Sequence, residues 1–351
     1  MEQGLAPVPE GPRRPYRDQW EAAVAEAYAD ELGLADVSID TAFSTSGDDG
    51  AADRIADRLF ETTRTRLPRA ELTARDTVER VAAYLRERAP SDRCLQLPAD
   101  FDPHAPSLFY FHSASGTAMA VRTLRSVLPV QSVGVRAAGL EGEREVPRSI
   151  EEFASIYLEE LLRLPAEQPY LLCGFSTGGA IAFEVACRLL AAGRRVAMLA
   201  LIDSQPPDPS LAAGVSSEEV LIGGRLQELL RRIGVDVPYT ITVGDAGVVS
   251  SLKEARVLAE TVGPEVLRRQ LEVFARTLRA DRFYHPGYYA GDLHYFNAHI
   301  ADDLVGNWEP HARRVIRHRV EADHHEYSIF PDPGFRTAFV DAVRGALTER
   351  P

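Results

Sequence analysis

Between Asp18 and Leu34 apolar residues return every three or four positions, with Trp20, Val24, Ala27, Tyr28 and Leu32 on one face, and this predicts an amphipathic helix. The same spacing predicts a helix over about Ala52–Thr65, led by Ile55 and Leu59. Another is predicted over Val78–Glu87, with Val81, Tyr84 and Leu85 inward and Thr77 as its cap. From residue 107 the pattern changes. Short apolar runs at Leu108–Phe111, Val130–Val135, Pro169–Cys173, Arg195–Ile202, Leu293–Phe296 and Val315–Val320 read as strands. Between and after them, 119–128, 149–164, 180–191 and 334–347 carry helical periodicity. Strands alternating with helices predict an α/β fold, a parallel sheet covered on both faces. Two further helical stretches, 216–233 and 249–278, interrupt the alternation, and Gly263-Pro264 is expected to split the second.

These patterns divide the chain. Residues 1–16, rich in Pro, Gly and charge, are expected to be disordered. Residues 17–90 form a small helical bundle, 91–106 a Pro- and Asp-dense linker, and 107–351 the α/β domain with an insertion at about 205–285.

One stretch carries chemistry. Leu171-Leu172-Cys173 runs into Gly174-Phe175-Ser176-Thr177-Gly178 and then into the 180–191 helix, the order strand, sharp turn, helix. A serine at the apex of such a turn has its hydroxyl pushed out of the sheet, so Ser176 is the candidate nucleophile. The Thr177 backbone N–H, at the helix N-terminus, is placed to stabilise an oxyanion. The small-residue loop 112–118 after the first strand is the candidate source of a second such N–H, Ala114 first and Ser113 next. His112 in that loop reads as structural rather than as a base. Asp203, at the carboxyl end of the 195–202 strand, stands where catalytic groups collect in open α/β sheets. Asp302 or Asp303, after the following strand, is an equally ordered alternative for the acid.

Composition narrows the partners. A formal charge of −13 argues against nucleic acid and anionic membrane surfaces. Three cysteines, Cys94, Cys173 and Cys187, make neither a disulfide framework nor a zinc site. No apolar run is long enough to span a membrane and no signal peptide is visible, so a cytoplasmic protein without metal or redox cofactor is expected.

Residues 107 to 350 resemble the type I thioesterase domain that ends nonribosomal peptide and polyketide assembly lines. The matching pieces are GFSTGG (174–179), LALIDSQPP (199–207), YYAGDLHYF (288–296), Trp308 and EADHHEYSIF (321–330). The resemblance implies an α/β-hydrolase fold, a helical lid in the insertion, and a triad of Ser176, Asp203 and His324. The acid follows the nucleophile by 27 residues, as in that family. The last motif departs from the usual Gly-Asp/Asn-His-aromatic, reading Ala322-Asp323-His324-His325, so His325 stays open as the base.

The N-terminal pieces ELGLADVSIDTAF (31–43), SGDDGAADRIADRL (46–59) and LPRAELTARDTVERVAAYL (67–85) resemble a phosphopantetheine carrier domain. There the second helix opens with Gly-Gly-Asp-Ser, and the serine holds the prosthetic arm. Here Asp49 takes that place, with Ser44 and Ser46 out of register. The bundle is therefore expected to be degenerate and unable to hold a thioester. Together the resemblances imply release of an acyl, peptidyl or polyketide chain from a separate carrier protein's pantetheine thioester, by hydrolysis or macrocyclisation. An editing hydrolase acting in trans, a non-catalytic docking module and a general carboxylesterase are the alternatives.

Overall fold

The structure, a computed structural model, describes residues 16–348 apart from 18, 35–36, 43–49, 64, 66, 89–92, 99, 143, 166–168, 207–215, 238–239, 246, 259–261 and 299–307. Residues 1–15, Ser44, Ser46, Asp49, Asp302 and Asp303 thus lie outside the described residues. Contacts divide the chain into two compact units. The first comprises Met1–Asp92 with Leu229–Val235 and Val243–Arg269, and the second the remainder. Parts of the expected insertion therefore cluster with the N-terminal residues.

In the first unit, α1 (Gln19–Leu32), α2 (Ala51–Thr63), α3 (Arg69–Arg75) and α4 (Val78–Arg88) form a helical bundle. Val24, Tyr28, Ile55, Leu59, Leu72, Val81 and Leu85 make its core, as helical spacing requires. The seven-residue α3 lies in what the sequence pattern reads as a connection, because Leu72 is its only buried residue. Tyr16, at the end of the stretch expected to be disordered, donates its hydroxyl to the Val37 carbonyl. Glu21 is fully buried and is bridged by Arg17.

The second unit is built on a seven-stranded sheet. In chain order its strands are β1 (Leu95–Gln96), β2 (Ser107–Phe111), β3 (Gln131–Val135), β4 (Tyr170–Phe175), β5 (Val196–Ile202), β6 (Tyr289–Ala298) and β7 (Ala312–Val320). They lie in the order β1-β3-β2-β4-β5-β6-β7, all parallel except β1. Every residue of β2 and β4 is buried, which is why these strands read as unbroken apolar runs rather than alternations. Successive side chains still leave opposite faces. Phe109, Phe111, Leu172, Leu199 and Leu201 enter one core with α6 (Ile150–Leu162) and α7 (Thr177–Ala191). Leu108, Tyr110, Leu171, Cys173 and Ile202 enter the other with α5 (Val121–Arg125) and, from the chain's end, Phe335, Phe339 and Val343.

β1 is a correction to the linker expected over 91–106. It pairs antiparallel with β3, and the Cys94 and Leu95 N–H groups donate to the Glu160 carboxylate. Two residues are too few to show a period, and their order comes from bonds to distant chain. α6 begins with a capped first turn, with Ser149 accepting from the Glu152 N–H and Glu152 accepting from the Arg148 N–H.

The insertion carries α8 (Glu218–Arg231), α9 (Val248–Glu254) and α10 (Pro264–Arg282). Proline at the first position of α10 suits a helix start, since its missing N–H has no acceptor there in any case. α11 (Glu326–Ile329) and α12 (Pro333–Thr348) complete the chain.

Candidate active site

The parallel strands point their carboxyl ends to one edge of the sheet, and the candidate residues gather there. β4 stops at Phe175, and Ser176 takes φ 54 and ψ −128 before α7 begins at Thr177. A side chain other than glycine is strained in that region, at a cost of about 1–3 kcal/mol. The surroundings impose it. Ser176 N–H donates to the Ile202 carbonyl at 3.0 Å, and the Ser176 carbonyl accepts from Gly179 N–H at 2.9 Å. The turn is also too tight for Cβ atoms beside it. One added at Gly174 would lie 2.0 Å from the Gly178 oxygen, and one at Gly178 would lie 2.6 Å from the carbonyl oxygens of Phe111 and His112.

Asp203 follows β5 directly and also has a positive φ, 45. Its N–H donates to the Phe296 carbonyl of β6 at 2.7 Å. Its carboxylate is fully engaged: Oδ1 accepts from Ala298 N–H at 3.1 Å and Oδ2 meets His324 Nδ1 at 2.5 Å. The neighbouring Ser204 carbonyl accepts from the Trp308 indole N–H at 2.8 Å. With a carboxylate opposite Nδ1, that nitrogen carries the proton, leaving the Nε2 lone pair towards Ser176 Oγ at 3.2 Å. The imidazole packs on Phe175, ring centroids 4.9 Å apart. The structure thus brings Ser176, Asp203 and His324 into one hydrogen-bonded row. His325 instead opens α11, its N–H donating to the Asp323 carbonyl and its carbonyl accepting from Ser328 and Ile329 N–H. Such a row can take a proton from a hydroxyl and stabilise the resulting imidazolium.

On the other side lie Ser113 and Ala114, both buried in the loop after β2. The loop is tied to the next strand and beyond by His112 N–H to Val135 O and Ala137 N–H to Gly116 O. Gly116, at φ 76, leaves no room for a Cβ, which would meet Val273 of α10 at 2.6 Å. His112 is wholly buried. Its Nδ1 donates to the Ser113 carbonyl at 2.8 Å and its Nε2 accepts from the Tyr157 hydroxyl at 2.6 Å. Burial pushes this imidazole down to about 4, only partly opposed by the Ser113 carbonyl, so it is neutral near pH 7. Thr177 is buried at the start of α7, where its N–H has no intrahelical acceptor.

Nothing in the sequence pattern marks Tyr157, which reads as an ordinary apolar position of α6, or the Tyr110–Glu326 hydrogen bond across 216 residues. Trp308 was visible only as a matching residue, without its bond to Ser204. Among the described residues no group of three His, Cys, Asp or Glu could hold a metal ion, and no helix is long and apolar enough to cross a membrane.

A family model described as the thioesterase domain matches residues 106–326, more than half of the chain. The chain belongs to the thioesterase domain family. Members of this family are hydrolases. The thioesterase region is similar to malpibaldin synthetase of Mortierella alpina, 30% identical over 223 residues, which are 62% of this chain and 4% of that protein. It is also similar to enterobactin synthase component F of Escherichia coli K12, 27% identical over 219 residues, 59% of this chain and 17% of that one. The chain therefore spans a small part of these relatives. Among solved structures, a four-domain nonribosomal peptide synthetase bound to AMP and glycine superposes on 99% of this chain and 27% of its own, with a TM-score of 0.63 and 20% identity. The thioesterase unit has the α/β-hydrolase fold.

Proposed function

We propose that this thioesterase domain releases an acyl, peptidyl or polyketide chain from a carrier protein's pantetheine thioester through an acyl-serine intermediate. The observation that carries the reading is His324, bridging Asp203 at 2.5 Å and Ser176 at 3.2 Å. Ser176 Oγ attacks the thioester carbonyl carbon while His324 Nε2 takes its proton, and Asp203 stabilises the imidazolium. The carbonyl oxygen, now negative, accepts from the Thr177 and Ala114 N–H groups. Collapse breaks the C–S bond, and the pantetheine sulfur leaves with the proton from His324. Water, or a hydroxyl or amine of the acyl chain itself, then attacks the ester through the same base. Water gives an acid, and the internal nucleophile gives a macrocycle.

Asp49 has no hydroxyl for a phosphopantetheine arm, so in this reading the acyl group arrives on another protein. The carrier-like bundle serves docking or stability rather than delivery. Delivery in trans also suits an editing hydrolase that clears stalled carriers, a role marked by turnover of short acyl groups in preference to full-length chains.

The test is intact-protein mass spectrometry after mixing with a panel of acyl-pantetheine thioesters, wild type beside Ser176→Ala. An acyl mass gain on the wild type alone is the expected result. Turnover that survives Ser176→Ala, or an adduct on the variant as well, refutes the serine mechanism.

A further inference from the structure

Two residues beyond His324 the chain enters α11, and Glu326 is its first residue. A glutamate at the start of a helix ordinarily faces water. This one is half-buried, and its Oε1 accepts from the hydroxyl of Tyr110 at 2.8 Å. Tyr110 is fully buried on β2. Burial raises the pKa of this carboxyl, and the bond from Tyr110 works against that rise. Four-residue α11 offers too little dipole to account for a carboxylate drawn inward.

Ser113 is one end of a row of hydroxyls. Its Oγ lies 3.2 Å from Ser115 Oγ, which lies 3.2 Å from Thr117 Oγ1 and accepts from the Thr117 N–H at 3.3 Å. Either hydroxyl of each pair can donate, so the row ties residues 113, 115 and 117 of this loop to one another. Ala114, whose N–H is assigned to the oxyanion, lies between two members of that row. On the opposite side Phe330, at the end of α11, packs edge-on against Tyr110 at 5.6 Å and against Phe175 at 6.4 Å, and Phe175 carries the His324 ring.

We propose that Glu326 is a positioning residue for both halves of the centre, fixing the loop that carries His324 to β2, the strand that runs directly into the loop presenting Ala114. The inference rests on the serine mechanism above. It assigns Glu326 no contact with substrate. Its carboxylate acts through Tyr110, setting where the base and the oxyanion donor stand relative to Ser176.

An alkyl fluorophosphonate tests both halves at once. Ser176 Oγ bonds phosphorus, fluoride leaves, the serine proton passes to His324, and the phosphoryl oxygen takes the oxyanion's place. Labelling of the full chain is followed by mass, with kinact and KI determined for wild type, Ser176→Ala, Glu326→Ala, Glu326→Gln and Tyr110→Phe, each beside its melting temperature. Glu326→Ala is expected to lower kinact by roughly 10- to 100-fold, the scale of a misplaced reacting group, with KI nearly unchanged. Glu326→Gln restores most of that loss, because its amide oxygen still accepts from Tyr110. Tyr110→Phe lowers kinact too and adds nothing to Glu326→Ala.

A kinact for Glu326→Ala within about twofold of wild type, whatever its melting temperature, overturns the proposal. Should that variant fail to fold, an unchanged kinact in Tyr110→Phe overturns it equally. A wild type that is not labelled, or a Ser176→Ala that is, refutes the serine mechanism itself and this inference with it.

Discussion

His112 supplies a stability change whose size and sign follow from its surroundings. Its folded value of about 4 lies below the ordinary 6.5. Between those two pH values the unfolded chain binds a proton that the folded chain does not. Stability contributed by the neutral ring is therefore present above pH 6.5 and is lost as pH falls towards 4. At about 1.4 kcal/mol per pH unit, the full loss is about 3 kcal/mol. The perturbation is His112→Gln, compared with the parent chain so that other titrating groups cancel. Unfolding by urea is followed in a Trp20→Phe background, which leaves Trp308, fully buried in the thioesterase unit, as the one remaining tryptophan. The variant is expected to be the less stable at pH 7.5, because Tyr157 and the Ser113 carbonyl lose a well-placed partner. The gap should then narrow by about 3 kcal/mol down to pH 4. A gap that stays constant to within about 0.5 kcal/mol refutes the reasoning, since it means that the ring protonates in place without penalty.

Asp203→Asn keeps the shape but offers Nδ1 no carboxylate; kcat at pH 7 should fall about 10³- to 10⁴-fold with KM little changed, checked by steady-state release of a pantetheine thiol. Gly179→Ala places a Cβ 2.2 Å from Ser204 Oγ and 2.4 Å from Ser204 Cβ. It should cost at least about 2 kcal/mol by thermal melt, and Ser204→Gly in the same chain should recover most of it by removing the atoms in the way.

What could be read from the sequence depended on how local its cause was. The β4–Ser176–α7 turn was legible because a buried strand, two glycines and a helix follow one another without a break. The covered parallel sheet was legible because burial on both faces leaves unbroken apolar runs in β2, β4 and β5. β1 was not, since its order comes from Glu160 and from the Arg136 N–H that donates to the Cys94 carbonyl, 42 residues earlier in the chain. The choice between His324 and His325 turned on one residue of register. What separates them is that the His325 backbone is committed to starting α11, which leaves His324 in the preceding turn, facing Asp203. A one-turn helix has no periodicity by which to announce itself. The hydroxyl row from Thr117 to Ser113 looked like a run of small residues, and only the fold shows that its hydroxyls bond one another.

Strain clusters at this site. Among the described residues four non-glycines have positive φ, and Ser176 and Asp203 are two of them. Both sit one residue past the end of adjacent parallel strands, β4 and β5, so the sheet itself sets their spacing. Each is held by backbone bonds to the next strand over: Ser176 N–H to Ile202 of β5, and Asp203 N–H to Phe296 of β6. Relaxing either residue to ordinary backbone angles would break a bond that extends the parallel ladder at its carboxyl end. The strain is thus sustained by pairing that the buried strands already make, and it leaves the two backbones in the sheet while both side chains meet His324. His324 needs no such strain, because the loop after β7 is free to reach back across the edge. The same freedom leaves its position to be set by contacts, with Phe175 beneath the ring and Asp203 beside it. That is why the residue most exposed of the three, 48% against 10% for the Asp203 side chain, is also the one whose neighbours on α11 bear most directly on its placement.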